Sequence, residues 1–157
     1  MENTIFYTDA YNALYAECQR LAIQIQHFDQ NPTEKKDNMA DYKCLRFRSA
    51  SVDSICMMLY HGNRVYRLPG VHLIIENALN TRPDYLSICE SAPASELIDY
   101  KLYYGISAHI ESKLAEHEAK LPHASDWEAV ELTERMGGLK FAKACLDEAW
   151  EKREVGA

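Results

Sequence analysis

Between Tyr7 and Phe28 the apolar positions Tyr7, Tyr11, Leu14, Cys18, Leu21, Ile25 and Phe28 recur at alternating steps of four and three. A helix has 3.6 residues per turn, so this spacing gathers all seven on one face. The pattern predicts a helix over 7–28, with Thr8 or Asp9 capping its start. Tyr15 and Ala22 widen the stripe beyond a two-residue seam, which favours a core face. The alternative use of the stripe is a homodimer contact. Residues 29–41, DQNPTEKKDNMAD, are polar and contain Pro32, so they are expected to form a mobile loop.

The stretch 42–68 admits two readings. Residues 42–48 are short and partly alternating, and suit either a strand or the lead-in to a helix. Val52, Ile55, Cys56 and Leu59 then fall at helical spacing, with Ser49 or Ser51 as N-cap and Gly62 as C-cap. As a hairpin, 55–60 and 64–68 would flank His61-Gly62-Asn63. The long apolar run without clean alternation favours the helix, and a small β-hairpin near 42–68 stays open. Pro69 and Pro83 each suit the first turn of a further helix, the first running to about Leu79 and the second to Ile88 or Glu90. Leu73, Ile74 and Ile75 make the first of these nearly apolar all round, which predicts a central position.

From Ser95 to Leu121 the steps are helical again, through Leu97, Tyr100, Tyr103, Ile106, Ile110, Leu114, His117 and Leu121. Pro122 marks a turn. Ser125-Asp126-Trp127-Glu128 then has the form of a capping box. Leu132, Met136, Leu139, Ala142, Leu146 and Trp150 supply the inner face of the last helix. Gly137-Gly138 within it predicts a kink or the close approach of a neighbour. The whole reads as a mainly α, single-domain bundle (1–157) of five or six helices, ending in a long antiparallel helical hairpin over 95–153.

Composition narrows the functional classes. Six Gly and five Pro favour long helices over a many-turned β fold. Five cysteines at 18, 44, 56, 89 and 145 show no CxxC and fit neither a zinc ribbon nor a secreted disulfide framework. The acidic N-terminus is unlike a signal peptide, and no run reaches the ~18 apolar residues of a membrane span. A soluble cytoplasmic protein is the expectation.

The net charge of -7 argues against a general nucleic-acid coat. It is unevenly placed. Residues 111–134 hold Glu111, Glu116, Glu118, Asp126, Glu128, Glu131 and Glu134 against Lys113 and Lys120 alone. A surface of one sign steers and docks a partner of the other, so these acids are the candidate site for a protein with a basic surface. The stretch from 42 to 67 is instead basic and aromatic. There Lys43, Arg46, Arg48, Arg64 and Arg67 are candidate anion-binding residues, and Tyr42, Phe47 and Tyr66 offer rings for stacking. The same side chains also suit arginines lying over apolar surface.

No phosphate-binding loop, nucleophile elbow or HExxH motif occurs, and no cofactor or metal is expected. His109 and His117 lie two helical turns apart without a third ligand. Arg67-Leu-Pro-Gly-Val-His72 resembles the short Arg–His motif of the small helical HEPN ribonucleases, though Leu68 stands where those motifs carry a polar residue. The resemblance implies Arg67 as the charge-stabilising group and His72 as the proton carrier at an RNA phosphodiester. The sequence leans away from an enzyme. Its favoured reading is a small acidic inhibitory protein of immunity or mobile-element anti-defence type, acting stoichiometrically. The alternatives are an RNA-binding or HEPN-like module over 42–72 and a helical self-assembling protein.

Overall fold

A computed structural model describes the backbone over residues 3–65 and 69–155, and side chains over 3–64 and 73–153. Seven α-helices and two short 3-10 turns account for every element among these residues. They are α1 (Ile5–Gln30), α2 (Pro32–Asp37), α3 (Met39–Val65), α4 (Pro69–Thr81), α5 (Pro83–Glu90), α6 (Leu97–Lys120) and α7 (Asp126–Val155).

The stripe of α1 is a core face. Tyr7, Leu14 and Leu21 are buried, and Tyr11, Cys18, Ile25 and Phe28 are half-buried. Phe6, Ala10 and Glu17 widen it, on the flank opposite the one expected: Tyr15 and Ala22 face outward. The helix begins at Ile5, which places the fully buried Phe6 in its first turn. The cap is accordingly Thr4, whose hydroxyl accepts from the Tyr7 backbone N–H at 3.2 Å, and not Thr8 or Asp9. The same hydroxyl donates to the buried Asp99 carboxylate at 3.0 Å, tying the start of α1 to the first turn of α6.

Residues 29–41 are helical rather than a loop. Asn31 interrupts α1, Pro32 opens α2 in the first-turn position it favours, and Asn38 leads into α3. Their polar side chains stabilise helix ends instead of opposing helix. Asn31 Nδ2 donates to the His27 carbonyl at 2.7 Å and Asn38 Nδ2 to the Glu34 carbonyl at 3.0 Å. Asp29 accepts from Lys35 and from the Tyr42 hydroxyl, each at 2.9 Å, fastening the end of α1 to the start of α3.

The segment 42–65 lies within α3, so no hairpin forms there; residues 66–68 lie outside the described residues. Gly62 is an interior residue of α3 and not its C-cap. A Cβ there would stand 2.6 Å from Leu102 Cδ2 and 3.1 Å from Ile75 Cδ1. Close packing against these two side chains, rather than the end of the helix, favours glycine here.

α1, α3 and α7 pack against one another, and α6 joins this group to α4 and α5. α4 is peripheral rather than central: Ile75 and Leu79 are buried, but Leu73 and Ile74 are 57% and 42% exposed. A 3-10 turn at Ala94–Glu96 precedes α6, so Glu96 stands at its N-cap in place of Ser95. Contacts between α6 and α7 run in opposite chain directions. Tyr103 donates to Asp147 at 2.7 Å, and Glu96 lies 3.6 Å from Arg153. No helix among the described residues is long and apolar enough to cross a membrane.

Candidate interaction surface at the α6–α7 turn

The turn between α6 and α7 is a 3-10 segment, Leu121–His123, held by Pro122. The capping box forms as its sequence demands. The Glu128 N–H donates to Ser125 Oγ at 3.3 Å, and the Ser125 N–H donates to the Glu128 carboxylate at 3.4 Å. This fixes the first turn of α7 and places Asp126, Trp127 and Glu128 in the open.

The seven acids do not act as one patch. Glu111 is turned to α5, where Arg82 pairs with it and Tyr85 donates to it at 2.8 Å. Burial first, and this carboxylate second, push the Tyr85 hydroxyl up to about 12. Glu116 lies between Lys120 at 3.2 Å and Lys113 at 3.4 Å. Hydrogen bonds from those two lysines hold its pKa below the ordinary value. Glu131 pairs with Arg135 at 3.1 Å. Glu134 is half-buried and lines a groove with Cys44 and Arg48. Glu118, Asp126 and Glu128 are left exposed around the turn, with no ion pair among the described residues. A shallow groove of about 400 Å³ lies beside them, lined by Ala119, Lys120, His123, Ala124, Glu128 and Leu132.

Trp127, which sequence reasoning passed over, stands among these acids and is 42% exposed. Its ring lies 6.3 Å from that of Phe47, with Lys43 Nζ 4.9 Å from the Trp127 centroid and Arg135 5.3 Å from that of Phe47. An exposed tryptophan ringed by charge is the kind of residue that anchors protein interfaces. Trp127 falls off the 132–136–139 inner stripe of its own helix, and that was the available signal.

Among the described residues, the candidate anion-binding side chains do not all share one site. Arg64 is sixteen residues along α3 from Arg48, about 24 Å at 1.5 Å per residue. Each described cation lies over a ring of its own chain. Arg46 is 5.8 Å from the Tyr42 centroid, Arg48 5.9 Å from Phe141 and Arg64 5.5 Å from Tyr60. The Tyr42 and Tyr60 hydroxyls also accept hydrogen bonds from Arg46 and Arg64, at 3.1 and 2.6 Å. The side chains of Tyr66, Arg67 and His72 lie outside the described residues, and with them the Arg–His motif.

Among the described residues no group of three or more His, Cys, Asp or Glu side chains is placed to hold a metal ion. His109 and His117 are half-buried, and burial lowers the pKa of both. This has a stability consequence. A histidine depressed in the folded state is protonated first in the unfolded chain. Its contribution is complete above the unfolded value of 6.5 and is lost as pH falls below it. Thermal unfolding is therefore expected to move to lower temperature between pH 7 and 5, and His109→Gln is expected to flatten that slope. Equal slopes in the two proteins would remove His109 as the cause.

No family model, no curated protein and no solved structure matches this chain, so its function is read from its own geometry.

Proposed function

We propose that the chain is a small protein-binding protein, an inhibitor of immunity or anti-defence type, that acts by stoichiometric docking. Its partner presents a basic surface to the α6–α7 turn. The observation that carries this reading is the group Glu118, Asp126 and Glu128, unneutralised beside the exposed Trp127. Charge of one sign raises the encounter rate with an oppositely charged partner, and a partly exposed indole supplies the apolar anchor that charge alone lacks. The long antiparallel hairpin of α6 and α7 is the arm that presents the turn. Five free thiols accord with a reducing, cytoplasmic setting.

The test is affinity capture from the native source with Glu118→Lys, Asp126→Lys and Trp127→Ala chains beside wild type. Glu128 is left alone because it caps α7. The partner's capture is expected to fall at least tenfold in the double charge reversal and to weaken with salt in wild type. Glu111→Gln, already turned to α5, is expected to leave capture unchanged. Undiminished capture by the reversed protein would overturn the reading.

A further inference from the structure

Two of the five thiols meet across the seam between α1 and α3, away from the surface proposed above. Ring contacts set the register of that seam. Tyr11 lies 5.8 Å from Tyr60 near one end, and Phe28 lies 6.0 Å from Tyr42 near the other. The helices therefore run antiparallel, and Cys18 comes level with Asp53. Cys56 follows Asp53 by three residues, on the same face of α3 and about 4.5 Å along the axis. The side chains agree with this placement: the Asp53 carboxylate and the Cys56 sulfur lie near enough to the Cys18 thiol to perturb its titration. Cys18 is half-buried and belongs to the rim of the core, whereas Cys56 is 5% exposed and lies within it. A disulfide spans Cα atoms about 4.4–6.8 Å apart, a separation within reach of two residues offset by less than one turn across a packed helix pair.

We propose that Cys18 and Cys56 are a redox-operated staple, closed by hydrogen peroxide and restrained by Asp53. The Cys18 thiolate attacks a peroxide oxygen and the O–O bond breaks, leaving a sulfenic acid on Cys18 and releasing hydroxide. The Cys56 thiolate then attacks the Cys18 sulfur, the S–O bond breaks, and a second hydroxide departs. The two thiol protons convert both hydroxides to water. Each sulfur gives up one electron and one peroxide is reduced to two waters. Burial first, and the nearby Asp53 carboxylate second, keep the proton on Cys18, so the reactive thiolate is scarce at neutral pH. The staple stays open in a reducing environment and closes slowly under sustained oxidant. Once closed, it holds α1 on α3 and shortens the unfolded chain's reach across the loop between them.

The test treats the full chain, natively folded, with hydrogen peroxide and maps its peptides without reduction. Expected is a single cross-linked pair containing Cys18 and Cys56, about 2 Da lighter than the two free peptides. Thermal unfolding is expected to rise by roughly 5–10 °C, and dithiothreitol to reverse both changes. Asp53→Asn retains both thiols and is expected to close several-fold faster. Oxidation of Cys18 to sulfinic acid without a cross-link, a bond to another cysteine, or no reaction under excess peroxide would each overturn the staple. An Asp53→Asn protein that closes at the wild-type rate would remove Asp53 as its restraint.

Discussion

Trp150→Ala is expected to destabilise the fold by about 3–5 kcal/mol, the usual range for deleting a large buried aromatic side chain. Trp150 is 6% exposed and is the hub of the bundle end. Its ring stacks on Tyr103 at 4.4 Å and 5° between planes, and meets Phe6 and Tyr100 edge-on at 5.2 and 5.0 Å. Arg153 lies on it at 3.6 Å. These partners come from α1, α6 and α7, so the indole joins three helices at once. Tyr103 depends on the same packing. Burial and its bond to Asp147 hold its hydroxyl protonated far above the ordinary range. Removing the indole therefore leaves a cavity and loosens a half-buried polar pair. Urea unfolding followed by circular dichroism measures the loss. Trp150→Phe is expected to recover part of it, since an aromatic ring is retained at the junction. A loss below about 1 kcal/mol for the alanine would mean that the surrounding rings collapse freely into the space.

The long helices were legible because their apolar steps are regular over many turns. The α1 stripe, the α6 steps from Tyr100 onward and the α7 inner face reappear as buried or half-buried positions, whereas Leu97 is exposed, and the Ser125–Glu128 box forms the hydrogen bonds that its spacing implies. The segment 29–41 shows that polarity is not irregularity. Its asparagines and Asp29 act on backbone and hydroxyl groups at helix ends, which a hydropathy pattern does not report. The three consecutive apolar residues of α4 surround the helix axis and so suggest a central helix. Only Ile75 of that run is buried, and the depth of a neighbour is a tertiary fact.

The candidate surface was legible only as a charge count. Glu111, Glu116 and Glu131 read in sequence as members of an acidic run, yet Arg82, two lysines and Arg135 take them up. Of those partners, Arg82 lies 29 residues from Glu111 and no local pattern pairs them. The basic residues of α3 follow the same logic from the other side. Phe141 and Trp127 come from α7 to lie under Arg48 and Lys43, so the stretch that reads as an anion site is largely a seam between helices.

The glycine pair in α7 gives the sharpest separation between two neighbouring substitutions. Gly138→Ala is expected to destabilise by about 1–3 kcal/mol, although alanine is the better helix former by about 1 kcal/mol. A Cβ at 138 would stand 2.7 Å from the Arg48 carbonyl oxygen and 2.8 Å from Ser51 Cβ. The first of these is backbone of α3, so neither a rotamer change nor a small side-chain shift relieves the contact; the two helices must separate. Gly137 faces a different neighbour. A Cβ there would meet the Arg48 guanidinium at 3.1 Å, the far end of a flexible side chain that can move aside. Gly137→Ala is therefore expected to lie between neutral and about 1 kcal/mol more stable, as helix propensity dominates. The two proteins differ by one methyl group at adjacent positions, and urea titrations under identical conditions measure the difference directly. Equal effects at the two positions would mean that α3 does not press on α7 at Gly138, and that the glycine pair acts on the helix alone.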